Sequence, residues 1–182
     1  MERPKKPVFI VGCPRSGTTW LYHLLLSSGG FAIYRSESQV FDRLAHRFGR
    51  FVSRSDRSRF LDAWLDSEYF LRSGLDAGIF RRVVLDRVDS PGRLLNEFMT
   101  AICELQGATR WAECTPANAL YLAEIKREFP DAVFIHIIRD GRDVALSLAR
   151  QGYVKPLPWD HRSPEFAAAA YWAWPTQLKK IY

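Results

Sequence analysis

The chain has 182 residues, 47% hydrophobic and 25% charged, the balance of a soluble globular domain with a real core rather than a disordered segment. No apolar run approaches the roughly 18–20 residues of a membrane span, and Val8 to Val11, after a basic N-terminus, is too short for a secretory leader, so a cytoplasmic location is the default. The net charge is +6 and 20 of the 26 basic residues are arginine; the planar guanidinium fork suits phosphate, sulfate and carboxylate, which predicts an anionic ligand, with nucleic acid the less favoured partner.

Three cysteines, Cys13, Cys103 and Cys114, are an odd number without a CxxC pair. That pattern argues against a disulfide framework or a zinc knuckle. The four histidines lack metal-ligand spacing, so no metal is expected.

In chain order, Val8 to Gly12 is a continuous apolar run ending in glycine, the pattern of a buried parallel strand. A loop from Cys13 to Ser16 leads into a helix over Gly17 to Ser28, closed by Gly29-Gly30. Phe31 to Tyr34 is expected as a second strand. From about 39 to 106 the pattern is helical and Arg-rich, punctuated by Gly49, Gly74, Gly78 and Ser90-Pro91-Gly92. Ser90-Pro91 has the form of an N-cap followed by proline at the first helical position, and Thr115-Pro116 and Ser163-Pro164 repeat it. Arg110 to Glu113 is a third short strand. A helix over Pro116 to Glu128 follows, stopped by Pro130. Ala132 to Ile138 is an apolar strand, and Asp140 caps a helix running to about Gln151. Gly152 to Pro164 carries three prolines and is read as a loop within the domain. The last helix, Pro164 to Tyr182, ends without a cap or closing glycine, which predicts a truncated product or fragment. The order describes a single α/β domain over 1–182, with a mostly parallel sheet flanked by helices and a helical insertion at about 39–106.

The strongest motif is Gly12-Cys13-Pro14-Arg15-Ser16-Gly17-Thr18-Thr19, between a strand and a helix. Its G-x-x-x-x-G spacing matches a phosphate-binding P-loop, which makes the expected sheet P-loop-type. Gly17 permits a tight turn, successive N–H groups converge on an anion, and the helix N-terminus adds positive potential. The lysine of a nucleoside triphosphatase loop is replaced by Thr18, and the cationic residue is Arg15.

The string Pro14-Arg15-Ser16-Gly17-Thr18-Thr19-Trp20 resembles the 5′-phosphosulfate loop of sulfotransferases that use 3′-phosphoadenosine 5′-phosphosulfate (PAPS). The resemblance implies that Pro14, Arg15, Ser16, Gly17, Thr18, Thr19 and Trp20 line the cofactor site, with Arg15 covering the oxygen between phosphate and sulfate. A second motif, Arg139 at the end of an apolar strand and Ser147 eight residues on, is similar to the family's 3′-phosphate site. By that resemblance Arg139 and Ser147 hold the 3′-phosphate of PAPS or of its product PAP. The competing reading of Arg139 is an ion pair with Asp140 or Asp143. Of Ser147, it is a small packed helix residue.

An acceptor hydroxyl or amine must lose a proton as it attacks sulfur, so a general base is needed near the loop. Glu37, after the second strand, has the position of the base in the bacterial and tyrosylprotein types that the chain resembles; pairing with Arg35 is the alternative. Glu113 is the rival, in Glu113-Cys114-Thr115-Pro116, which resembles a family segment Glu-Lys-Thr-Pro. Cys114 stands where that segment has lysine, a departure that bears on catalytic competence. His23 and His136 are expected as packing residues. Trp20, Trp111, Trp159, Trp172 and Trp174 are candidates to stack on adenine, with core packing preferred for each. The arginines 43, 47, 50, 54, 57 and 59 form a solvated face or a docking surface for an acidic acceptor.

The leading expectation is a PAPS-dependent sulfotransferase of the bacterial, tyrosylprotein or carbohydrate type, acting on a small-molecule, carbohydrate or peptide acceptor. The alternatives are a P-loop kinase or NTPase, and a catalytically inactive PAPS- or anion-binding domain.

Overall fold

A computed structural model describes residues 6–45 and 53–151. The expected 152–164 loop and final helix, the Ser163-Pro164 start, Gly49, Arg47, Arg50, Trp159, Trp172 and Trp174 lie outside the described residues.

Three parallel strands form the sheet, β1 (Val8–Gly12), β2 (Ala112–Glu113) and β3 (Val133–Ile137), in the order β2-β1-β3. The register pairs Phe9 with Glu113 on one side and Gly12 with Ile137 on the other. Because the strands are parallel, the segments leaving β1, β2 and β3 emerge at one edge, where ligands of open α/β sheets bind. The α/β class and the parallel sheet expected from the sequence are both present.

β1 is apolar throughout because both of its faces are covered. Phe9 and Val11 enter the larger core, and Val8 and Ile10 pack against Tyr22 and Leu26 of α1 (Thr18–Ser27). Phe9 contacts the rings of Trp111, Phe129 and Phe134 at centroid distances of 5.4–5.7 Å. Trp111 is thus a core residue.

The expected strand Phe31 to Tyr34 contracts to one parallel bridge between Phe31 and Arg110. Ala32 N donates to Arg110 O at 2.8 Å, so Ile33 faces the opposite edge, where Gln106 Oε1 accepts from Ile33 N at 2.6 Å and Nε2 donates to Ile33 O at 2.9 Å. On the β2 side the Tyr22 hydroxyl takes the place of the next rung, within hydrogen-bond distance of Tyr34 O (2.6 Å) and Ala112 O (3.2 Å).

The helical insertion contains a π-helical turn (Val40–Leu44), α2 (Arg54–Leu65), α3 (Glu68–Leu71), α4 (Ala77–Val84) and α5 (Pro91–Gln106). Ser90 caps α5 as its sequence predicts, accepting from Arg93 N at 3.0 Å, and Gly107 closes it with φ of 64°. Gly78 does not interrupt a helix. It lies inside α4, whose start is set by Asp76 accepting from Ile79 N. Phe98 of α5 is the centre of this layer, edge-on to Tyr34 at 5.1 Å and to Trp64 at 5.2 Å.

The expected helix Pro116 to Glu128 divides into a 3-10 turn (Pro116–Leu120) and α6 (Leu122–Glu128). Thr115 makes no side-chain cap, because its hydroxyl turns to Glu113 instead. After β3, α7 (Gly141–Gln151) starts with Asp140 Oδ1 accepting from Arg142 N at 2.9 Å. His23 and His136 are exposed, not packed inside. His136 sits on β3, which pairs on one side only among the described residues. No helix among the described residues is long and apolar enough to cross a membrane.

Candidate functional site

The loop between β1 and α1 is shaped by three residues with positive φ: Gly12 at 153°, Arg15 at 72° and Gly17 at 103°. Gly12 pairs with Ile137 of β3, and a Cβ there would stand 2.6 Å from Ile137 O. Ser16 N donates back to Cys13 O at 3.1 Å and closes the turn. Gly17 occupies the N-cap of α1 without a side-chain cap, and the first turn carries no acidic residue. That leaves the dipole end of α1 open to an anion. Ser16 Oγ is buried with no hydrogen-bond partner. An orphaned buried hydroxyl in a glycine-shaped loop at a helix start fits a phosphate or sulfate oxygen.

The second motif meets the first. Arg15 Nε donates to Ser147 Oγ at 3.1 Å, and Arg139 Nη1 donates to Arg15 O at 3.2 Å. The convergence follows from the topology: β1 and β3 are neighbours, so Arg15 and Arg139 leave the sheet side by side. Val144, Ala145 and Leu148 of α7 pack with Cys13 and carry Ser147 to the loop. Arg139 also faces Asp143 at 3.5 Å, while Asp140 pairs with Arg142 at 2.6 Å. That pair holds the Asp140 carboxyl down at about 2, chiefly through the Arg142 side-chain hydrogen bond. Pro14 is half-buried, Thr18 is buried, and Thr19 is exposed. Trp20 is 71% exposed beside the loop.

The two candidate bases lie close to one another but in different settings. Glu37 is half-buried and accepts a hydrogen bond from Gln39 Nε2. Burial, and then the negative charge of Glu113, push its carboxyl above the ordinary glutamate range. Glu113 is 1% exposed. Its Oε1 accepts from Ser38 N at 3.1 Å, Ser38 Oγ at 2.8 Å and the Thr115 hydroxyl; its Oε2 accepts from Thr115 N at 3.1 Å and Asn118 Nδ2 at 2.6 Å. Burial pushes its carboxyl up, and the bonds from Thr115 and Ser38 pull it down. Sequence reasoning missed Ser38, Thr115 and Asn118. The only local trace was Thr115 before a proline, which reads as a cap.

Cys114 is buried; burial, then Glu113, push its thiol up, and the nearby Thr18 side chain opposes them. The residue that replaces the lysine of the resembled segment therefore sits against the first turn of α1. In the arginine-rich stretch, Arg54 pairs with Asp86 at 2.9 Å and Arg59 with Asp56 at 2.5 Å, which is the arrangement of a solvated face. Among the described residues, no group of three or more His, Cys, Asp or Glu is placed to hold a metal ion.

A family model described as the sulfotransferase family matches residues 7–181, which includes both anion motifs and the Glu113 segment. No curated protein matches the chain. With nearly the whole sequence matched, and an arginine-lined loop at the strand ends, the chain belongs to the sulfotransferase family, whose reaction is sulfuryl transfer.

Proposed function

We propose that the chain uses PAPS as donor and transfers its sulfuryl group to a hydroxyl or amine of a small-molecule, carbohydrate or peptide acceptor. The observation that carries this reading is the 3.1 Å contact between Arg15 and Ser147. It joins a 5′-phosphosulfate loop to a 3′-phosphate motif, and a donor with phosphates at both ends of its ribose needs two such sites together. PAPS, when bound, supplies an activated sulfur whose bond to the 5′-phosphate oxygen breaks as the acceptor oxygen or nitrogen attaches.

The loop amides, Ser16, Thr18 and Thr19 hold the 5′ end, with Pro14 and Gly17 setting the turn and Trp20 beside it. Arg15 stabilises negative charge that grows on the departing phosphate. Arg139 and Ser147 hold the 3′-phosphate. Glu37 takes the acceptor proton. Its raised affinity for protons, caused first by burial and then by Glu113, suits a general base. The glutamate after the loop helix and the Arg-Ser-Gly-Thr-Thr string favour the bacterial, tyrosylprotein or carbohydrate type. Cys114 in the lysine position leaves cationic support of the transfer to Arg15, with Arg139 nearby.

Calorimetric titration with PAP, beside ATP with Mg²⁺, tests the reading. PAP binds and ATP binds weakly. Arg139→Ala loses about 10–100-fold in PAP affinity, the worth of one charge-assisted bond of about 1.5–3 kcal/mol. Equal affinity for ATP, or an unaffected Arg139→Ala variant, refutes it. The Cys114 thiol beside Thr18 also favours a second reading, a PAPS-binding domain without turnover. PAP binding with no transfer of labelled sulfuryl across an acceptor panel selects that one.

A further inference from the structure

Glu113 is a buried carboxylate next to the loop to which the proposed chemistry gives no task. We propose that it is a positioning residue, which clamps the 37–39 segment to the end of β2 and thereby presents the Glu37 carboxylate to the phosphate loop. The proposal rests on the reading of Glu37 as the base.

Among the described residues, every hydrogen-bond partner of the Glu113 carboxylate donates to it: Ser38 N, Ser38 Oγ, Thr115 N, the Thr115 hydroxyl and Asn118 Nδ2. An ionised carboxylate offers about four lone-pair sites, so these five donors saturate it. To take an acceptor's proton, Glu113 would have to surrender a partner in a place where it is 1% exposed. It is built as an acceptor of fixed bonds and is poorly placed to be the base.

Its bonds lead to Glu37. Ser38, held by both its N–H and its hydroxyl, is the next residue in the chain. Thr115 Oγ1, itself oriented by Glu113, accepts from Ser38 N at 3.0 Å and Gln39 N at 3.4 Å. Gln39 is held with φ of 55°, a left-handed conformation that a non-glycine residue adopts at a cost, and its side chain turns back to Glu37. The backbone around the base is thus fixed from β2, and Glu113 is the common acceptor.

The same placement puts a negative charge beside the base. Besides burial, the groups acting on Glu37 are Glu113 from the end of β2, the Gln39 side-chain amide, and Arg43 and Asp42 from the π-helical turn. Glu113 raises the proton affinity of Glu37 and Arg43 opposes it. Removing the charge of Glu113 must therefore let Glu37 ionise at lower pH.

The test is a carboxyl-carbon NMR titration of the chain labelled at glutamate Cδ, with the Glu37 signal identified by its loss in Glu37→Gln. Each variant is also titrated with PAP by calorimetry. In Glu113→Gln the Glu37 midpoint moves to lower pH, and PAP affinity is unchanged because the loop and Arg139 are not touched. Glu113→Asp keeps the charge but draws it back by one methylene, and gives a smaller displacement in the same direction. If Glu113→Gln does not fold, Glu113→Asp decides. A Glu37 midpoint that stays put in the folded variant overturns the proposal. So does a loss of PAP affinity in Glu113→Gln, which would assign Glu113 to the donor site. Failure of wild-type protein to bind PAP while the Glu37 midpoint still moves would instead sink the donor reading and leave the clamp standing.

Discussion

Alanine at Gly12 attacks the seam on which the two anion motifs meet. The new Cβ would lie 2.6 Å from Ile137 O and 3.4 Å from Thr18 Cγ2, at a φ of +153°. Ordinary contact begins near 3.4 Å, so β1 and β3 must part by about 0.8 Å at that point (3.4 − 2.6). Unfavourable backbone conformation costs on the order of 1–3 kcal/mol, and a weakened rung between the strands adds about 1 kcal/mol. Gly12→Ala is therefore expected to lower unfolding free energy by about 2–4 kcal/mol, a fall of roughly 5–15 °C in Tm for a chain of this size. Gly17→Ala is the control. Gly17 also has positive φ, at +103°, but nothing lies within 4 Å of its would-be Cβ, so only the conformational cost applies. Because Ile137 leads directly to Ile138 and Arg139, the same displacement pulls Arg139 away from Arg15 and weakens PAP binding. Urea unfolding of the two variants and wild type, with PAP calorimetry on each, is the assay. A Gly12→Ala variant as stable as Gly17→Ala, with PAP affinity intact, would refute the reasoning that the strand contact, rather than turn geometry alone, demands glycine.

Two further outcomes check the site's surroundings. Burial pushes the Cys13 thiol up to about 11 and raises Cys103 and Cys114 as well. Only about a thousandth of Cys13 is then thiolate at pH 8, so iodoacetamide should label native protein slowly and unfolded protein fast; rapid labelling of one thiol in the native chain contradicts this. Ser90 both caps α5 through Arg93 N at 3.0 Å and donates to Glu128 at 2.5 Å. Ser90→Ala should cost about 1–2 kcal/mol of stability and leave PAP affinity unchanged. An unmoved urea midpoint would show that the cap is dispensable.

What the sequence made legible was local. β1 could be read to the residue because burial on both faces leaves an unbroken apolar run. The tight loop after β1 was legible because Gly12 and Gly17 mark backbone angles that side chains resist. Arg139 and Ser147 were recognisable as a motif, but their meeting with Arg15 depends on β3 lying next to β1, a matter of sheet order. Two of the misreadings share a cause. A side chain takes a backbone or hydroxyl group that a local rule had assigned elsewhere. The Tyr22 hydroxyl takes Ala112 O, 90 residues away, where the Phe31 strand would have paired. Glu113 draws in Ser38 from a distance of 75 residues and takes the Thr115 hydroxyl from its expected cap. No periodicity or cap signature reports such competition, because the winner is chosen by burial. A hydroxyl in water gains little by leaving a cap, whereas a buried carboxylate without donors is costly enough to claim every one in reach. Local rules should therefore fail where charge is buried on purpose. In this chain one of those failures coincides with the segment that carries Glu37.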